Sequence, residues 1–294
     1  MDKVRICFIL NPAAGWRKLR HFESQVTRVL DPTRFDWIVR RTAQHGEAPF
    51  LTATAIREGY DVIAAVGGDG TINEVAGAIG DADILLAIVP YGSGNGLARH
   101  LNIPLEVHGA LKVIARMKSR VIDTAYLNGR KFFSIAGIGF DASVANRYRK
   151  VVRRGFFSYL RIVIMEFYRY KEQEYTILAD GKTMVRNALF ITIANSNQFG
   201  YNTVIAPGAD AGDGWLDLVI ARKWPLRETP RIVHLVYTGR IDISPFIEII
   251  RAKEIQVTRR RGKAVNLDGE AVRMGKIIKA WIVPSSLKVI IGAD

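Results

Sequence analysis

The chain of 294 residues is long enough for one large or two ordinary domains, and at 49% hydrophobic and 24% charged it has a globular composition, not a disordered or collagen-like one. Forty-two Lys and Arg against twenty-eight Asp and Glu leave +14, and 28 of the basic residues are Arg, whose planar fork suits phosphate, so an anionic partner is expected. A single cysteine, Cys7, excludes an intramolecular disulfide and a cysteine-based zinc site, and no apolar run reaches the roughly 18 residues that span a bilayer.

The first element, VRICFIL, reads as a buried strand that ends in the turn Asn11-Pro12-Ala13-Ala14-Gly15. It lacks the longer apolar core and cleavage pattern of a secretory signal, so an intracellular, soluble or peripheral protein is expected. DWIVR, DVIAAV and ILLAIVP follow as further β-rich runs, separated by helical periods such as Ile72, Val75, Ala76, Ile79 and Leu111, Ile114, Ala115. This alternation predicts βαβ units on a mostly parallel sheet up to about residue 123.

Within it, DVIAAVGGDGTINEVAGAI at 61–79 is a strand pattern, then Gly67, Gly68, Asp69 and Gly70, then an amphipathic helix. Thr71 and Glu74 fit the S/T-x-x-E capping box. Glycines at a strand-to-helix junction permit close backbone approach, and the helix N-terminus offers N–H groups to a phosphate. A tight, well-capped turn is the plainer explanation. The loop carries neither the lysine of G-x-x-x-x-G-K-[ST] nor the G-x-G-x-x-G fingerprint, so a different nucleotide site is implied. The next strand runs into a second loop, Gly92-Ser93-Gly94-Asn95-Gly96, ahead of LARHL in helical register. Together with the first turn, these loops are expected to converge at the carboxyl edge of one sheet as a phosphate or nucleotide site.

From 124 onward, YTILADG, ALFITIAN, LDLVIAR, EIQVTRR, AVNLDGE and LKVII alternate like strands of antiparallel sheets in a sandwich, with helices expected only near 144–170 and 226–250. The residues up to 123 hold 15 basic and 13 acidic side chains, and those beyond hold 27 and 15, so the excess belongs to the second part. The run from Asn146 to Tyr159 places five basic residues beside Phe156, Phe157 and Tyr159, a pattern suited to an anionic membrane surface and equally to a solvated helix face over core aromatics. Arg259-Arg260-Arg261-Gly262-Lys263 is a second basic cluster of the same kind, which a short basic hairpin turn explains nearly as well. No nucleic-acid-binding signature accompanies this charge, and no nucleic-acid partner is expected.

NPAAG, VGGDGTINEVA, YGSGNGLARHL, SIAGIGFDA, DGWLDL and NLDGE, in that order, resemble the diacylglycerol kinase catalytic-domain family, which includes bacterial lipid kinases and sphingosine kinases. The likeness runs from about 6 to 272. It implies an α/β nucleotide-binding domain with a doubly wound, mostly parallel sheet over 1–123, then a mainly antiparallel β-sandwich lipid-substrate domain over 124–294, with the active site in the cleft between them. It further implies an ATP-dependent lipid kinase acting on a diacylglycerol- or sphingoid-type hydroxyl, cytoplasmic and peripherally attached to the inner face of the membrane. Oligomeric state, a homodimer included, is not legible.

Carried over residue by residue, the resemblance places Asn11, Pro12, Ala13, Ala14, Gly15, Thr42, Gly68, Asp69, Gly70, Thr71, Ile72, Asn73, Glu74, Ser93, Gly94 and Asn95 around ATP. Asp69 is expected to help hold a catalytic Mg²⁺ through water, Glu270 to act as general base, and Asp123 to lie near the metal-water network. Asp210, Asp213 and Trp215 are expected to ligate a structural Mg²⁺, the outer two through backbone carbonyls. These roles suit phosphoryl transfer, which needs a phosphate cradle, a metal-holding carboxylate and a proton acceptor. Read without the family, Glu270 fits a surface turn acid, and Asp210, Asp213 and Asp217 fit loop and strand-edge solubility. The five His residues show no metal spacing. The chain departs from many bacterial members at Gly96, where they carry an acid, and at Trp16-Arg17-Lys18, where a glycine often follows NPAAG. A NAD kinase-like phosphotransferase and a non-catalytic lipid or nucleotide sensor are the alternatives.

Overall fold

The computed structural model describes residues 2–14, 21–44, 46–92, 94–148, 156–200 and 202–292. The chain forms two compact units, Met1–Ile122 with Ser285–Asp294, and Asp123–Pro284. Beside the division expected at 1–123 and 124–294, the last ten residues here group with the first unit.

In the first unit, strands β1 (Val4–Leu10), β2 (Phe35–Arg41), β3 (Val62–Gly67) and β4 (Leu85–Pro90) form a parallel sheet in the order β2-β1-β3-β4. All six residues of β3 are buried, as in a parallel sheet covered on both faces. Helices α1 (Phe22–Val29), α2 (Ala48–Arg57), α3 (Asp69–Ile79), α4 (Gly96–His100) and α5 (Val107–Arg116) complete it. Helix α1 packs with α5, and α2 with α3, as right-handed crossovers onto opposite faces require. Phe22 and Val26, four apart, are the buried stripe of α1, and the Phe22 ring meets Phe8 edge-on at 5.4 Å. Burying each such ring contributes on the order of 1.5–3 kcal/mol. Cys7 is fully buried beside them, and burial pushes its thiol up to about 11.

The second unit takes β5 (Ser119–Leu127) from Asp123 onward, then β6 (Arg130–Phe132), β7 (Ile135–Gly139), α6 (Phe140–Tyr148), α7 (Phe156–Arg169), β8 (Gln173–Ala179), β9 (Lys182–Ala188) and β10 (Phe190–Ala194). It continues through β11 (Gln198–Gly200), β12 (Thr203–Val204), β13 (Leu216–Ala221), α8 (Thr229–Tyr237), β14 (Ile247–Ala252), β15 (Glu254–Arg259), β16 (Lys263–Leu267), β17 (Glu270–Met274) and the first part of β18 (Ile277–Ile290). β14-β13-β10-β7-β16-β17 is a six-stranded antiparallel sheet, and β18-β15-β8-β9 is the antiparallel part of a ten-stranded sheet whose other end is β2-β1-β3-β4.

Period-two alternation decides which residues close the sandwich. Leu216, Leu218 and Ile220 join Ile177, Ile255, Val257 and Ile278 in the layer between the sheets. Val219 and Ala221 point the other way, to Phe140, Val144 and Phe167 of the covering helices. Ile232 and Leu235 of α8 cover Ile247 on the same face. The C-terminal end of β18 belongs to the first unit, where Val289 pairs in parallel with Leu86 of β4. That pairing, 203 positions apart in sequence, is why the first unit is discontinuous.

Candidate functional site

Because β1 to β4 run parallel, the segments that follow them leave from one edge of the sheet. The strand order reverses between β1 and β3, the position where open α/β sheets accept ligands. Asn11 stands at that switch point. Its backbone N–H donates to the Val66 carbonyl at 3.0 Å, and its side chain donates to Thr71 Oγ1 at 3.1 Å and accepts from Ala13 N at 3.0 Å. Thr42, after β2, is buried and donates its N–H to the Leu10 carbonyl at 2.9 Å.

The loops after β3 and β4 lock together through Asp69. Its Oδ2 accepts Asn95 N and its Oδ1 accepts Gly96 N, each at 2.9 Å. Burial pushes the Asp69 carboxyl up, and the amides of Asn95 and Gly96 and the charge of Arg99 oppose the shift. Asn95 is itself held in a left-handed conformation, φ 54°, and its side chain closes the loop on Gly92, accepting N–H at 2.9 Å and donating to the carbonyl at 2.8 Å. A Cβ on Gly92 would stand 2.7 Å from Gly68 Cα, and one on Gly94 would stand 2.8 Å from Asp69 Oδ2. The glycines therefore let two backbones touch.

Three expectations change here. Helix α3 begins at Asp69 with Gly68 as its cap residue and no side-chain cap, so Thr71 and Glu74 do not form a capping box. Thr71 is buried in the first turn with its hydroxyl taken by Asn11, the closer partner in the fold. Ile72 is 2% exposed and belongs to the core, which leaves only its backbone for a ligand, and the Asn95 side chain is committed to Gly92. Asn73 and Glu74 are half-buried. Gly15, Ser93 and Trp16-Arg17-Lys18 lie outside the described residues, as does much of the basic run after Asn146, from 149 to 155.

In the second unit, Asp123 anchors the DGWLDL segment. Its N–H donates to the Ala211 carbonyl at 2.5 Å and its Oδ2 accepts Gly214 N at 2.7 Å, while Gly214 takes φ 76°. Asp210 Oδ1 accepts Gly212 N at 3.1 Å, and Asp213 Oδ1 accepts Trp215 N at 3.0 Å. The second oxygen of Asp213 is paired with Arg251, whose guanidinium lies 5.5 Å from the Trp215 ring centre, with Lys253 Nζ at 4.9 Å. The Asp210 carbonyl accepts Asp213 N at 3.3 Å. The Arg251 guanidinium would therefore share the Asp213 carboxylate with any divalent cation held by the Asp210 and Trp215 carbonyls. Among the described residues no group of three or more His, Cys, Asp or Glu could share a metal.

Glu270 opens β17 after a two-residue turn, Asp268-Gly269, both with positive φ (46° and 89°), which is the type I′ hairpin geometry favoured by Asp-Gly. Asp268 is 9% exposed, and its carboxylate accepts three backbone N–H groups, from Phe133 at 2.8 Å and from Ser134 and Ile135 at 2.9 Å. Asn266 Oδ1 accepts Gly269 N at 3.0 Å. Asn195, fully buried, donates to the carbonyls of Asp123 and Phe133 at 2.9 Å each, and Ser196 Oγ bonds Ser134 Oγ at 2.9 Å. Asp123 and the Glu270 turn are thus tied to one buried scaffold that a sequence reading had not singled out.

The other end of the same hairpin is held by Arg259. It is 4% exposed, and its guanidinium donates to the carbonyls of Lys263 at 2.7 Å, Met274 at 3.0 Å and Gly275 at 3.1 Å. The expected basic surface cluster is corrected at its first member: Arg259 is an internal brace, because four strand-end carbonyls converge where only a guanidinium has enough donors.

Residues 5–127 match the diacylglycerol kinase catalytic domain, and residues 134–291 match the YegS C-terminal NAD kinase beta sandwich-like domain. The chain is similar to a diacylglycerol kinase of Staphylococcus aureus (strain MRSA252), 28% identical over 272 residues that cover 90% of this chain and 86% of that one. A solved structure from Bacillus anthracis str. Sterne, a candidate diacylglycerol kinase, superposes with a TM-score of 0.81 at 22% identity over 99% of this chain and 96% of that one. A second from the same organism, a diacylglycerol kinase, gives 0.73 at 20% identity over 99% and 98%. These structures share the fold.

Proposed function

The chain belongs to the diacylglycerol kinase catalytic-domain family, and from that premise we propose that it transfers the γ-phosphoryl group of Mg·ATP to a lipid hydroxyl, of diacylglycerol or sphingoid type. The observation that carries this reading is the interlock of the Asn11, Gly68-Asp69 and Gly92–Gly96 segments at the carboxyl edge of the sheet.

Asp69 fixes the Asn95 and Gly96 amides with its own carboxylate, and the remaining lone pairs on its oxygens suit water-mediated contact with the Mg²⁺ that accompanies ATP. That ion, when bound, neutralises charge on the transferring phosphates. Helix α3 also starts from that loop, and the N-terminus of a helix favours phosphate. Glu270 is exposed, and the Asp268 clamp fixes the turn from which it projects. In the reaction the acceptor hydroxyl gives its proton to the Glu270 carboxylate. Its oxygen bonds to the γ-phosphorus as the bond to the β–γ bridging oxygen breaks, and ADP leaves.

No helix of the described residues is long and apolar enough to cross a membrane, and we place the enzyme peripherally at an anionic inner membrane face. The likeness of the second unit to a NAD kinase beta sandwich favours one competing reading, NAD as acceptor. Radiolabelled ATP offered with diacylglycerol, a sphingoid base, ceramide and NAD in anionic vesicles separates them. Label in a lipid, lost in Asp69→Ala and Glu270→Gln, is expected. Label in NAD alone, or ATP binding without product over the panel, overturns the proposal.

A further inference from the structure

Helix α8 is apolar on two opposite faces. Ile232 and Leu235 point inward, onto Ile247 and Trp224. Val233 and Tyr237 point outward at 46% and 40% exposure, on the same stripe as Pro230 at helical spacing. Leu226, just before the helix, and Ile243, just after it, are each 50% exposed. A globular helix ordinarily turns charge to the outside. Here Arg227 and Arg231 stand beside the outer stripe in sequence, while Arg222 and Lys223 donate to the carbonyls of Pro245 and Tyr170. Residues 222–243 contain five basic side chains, Arg222, Lys223, Arg227, Arg231 and Arg240, all exposed, and two acidic ones, Glu228 and Asp242. Glu228 lies 3.9 Å from Arg231, an ion pair between partly exposed groups.

We propose that the outer face of α8, with Leu226 and Ile243, docks on an anionic lipid surface. The choice of lipid over protein rests on the lipid-kinase reading above. An apolar stripe flanked by arginines, with a tyrosine among its apolar residues, matches the boundary between headgroups and acyl chains, and each flanking cation attracts acidic headgroups. Helix α8 covers the same face of the six-stranded sheet as α7, since Trp224 packs into the clusters under both. This places the docking face on one side of the second unit, where the charge excess lies. Arg259, which is internal, is no part of it.

The test is cosedimentation with sucrose-loaded vesicles of equal phosphatidylglycerol and phosphatidylcholine, against pure phosphatidylcholine, using the full chain. Wild type should bind the anionic vesicles and release them at high salt. Val233→Asp with Tyr237→Asp should weaken binding at least tenfold. Arg227→Glu with Arg231→Glu, at solvent-exposed positions that do not touch the core, should weaken it by about fivefold or more per residue. Both variants should keep wild-type melting curves and wild-type phosphorylation of a short-chain lipid alcohol in detergent micelles. Unchanged vesicle binding in both variants overturns the proposal. So does loss of a dimer, in place of loss of vesicle binding, on sedimentation of the Val233/Tyr237 variant, which would assign the face to a second copy. Absence of micellar phosphorylation in wild type, with vesicle binding behaving as stated, would overturn the kinase reading and leave the docking face standing.

Discussion

Asp69 accepts the backbone N–H groups of Asn95 and Gly96, each at 2.9 Å, so the carboxylate that opens α3 also fixes the start of α4. Asp69→Ala therefore removes a structural acceptor as well as a charge. It should lower stability by about 1–3 kcal/mol, measured by urea denaturation, and abolish detectable phosphoryl transfer. Gly92→Ala tests the same interlock from the other side. Its Cβ would meet Gly68 Cα, and overpacking of this kind costs about 1–3 kcal/mol. ATP affinity, read by calorimetry, should fall with it. Wild-type affinity in Gly92→Ala would show that the two backbones need not touch.

Asp268 is the residue on which the Glu270 turn depends. Asp268→Asn keeps the shape but turns an N–H₂ toward at least one of three backbone donors. A loss of roughly 2–4 kcal/mol is expected, because hydrogen bonds to charge are the stronger kind and an orphaned buried donor adds its desolvation penalty. At temperatures where the variant stays folded, kcat should fall while KM for ATP stays within about twofold. Equal changes in both would place Asp268 in general stability alone.

Arg251 supplies the positive charge at Asp213. Chelation with EDTA should leave the wild-type melting temperature unchanged. Arg251→Gln should lower it modestly, since an arginine side chain 48% exposed contributes about 1 kcal/mol or less to stability, and should make the melt respond to added Mg²⁺. A drop of several degrees in wild type on chelation would restore a metal to this loop.

Arg186 and Glu248 join β9 to β14, one strand from each sheet, through two hydrogen bonds of 2.8 and 2.9 Å. The hydrogen bond from Arg186, then its charge, holds the Glu248 carboxyl below its ordinary 4.5. A depressed folded value means the pair stabilises the protein above the ordinary carboxylate range and stops doing so as pH falls through the folded value. With the side chains 38% and 43% exposed, the contribution is below about 1 kcal/mol. Glu248→Gln should lower the melting temperature slightly at pH 7, and the difference should shrink as the pH falls through the folded value of the Glu248 carboxyl. A difference that grows with acid would reverse the assignment.

The mostly parallel sheet, the two glycine loops and the sandwich were legible because each rests on local signals: buried runs, Gly at strand ends and period-two alternation. What stayed hidden was long-range. Asp268 reads as half of an Asp-Gly turn, and its real partners are 133 to 135 positions away. Arg259 looked like one of three surface arginines, since nothing nearby in sequence announces that carbonyls from the hairpin will gather around it. Thr71 fitted a capping box by spacing, yet Asn11, 60 residues earlier, holds its hydroxyl. The Asp210–Trp215 loop shows the same limit, for the arginine that closes it comes from a strand 38 positions beyond Asp213.

Strand β18 begins in one unit and finishes in the other. During synthesis the ribosome releases β1 to β4 early, but Val289, the partner of Leu86, emerges nearly 200 residues later. Until then β4 has an open edge, and the nucleotide loops hang from an unfinished sheet. A nascent chain arrested before residue 285 should be protease-sensitive in its N-terminal unit, because the strand that covers the edge of β4 is made long after β4 itself.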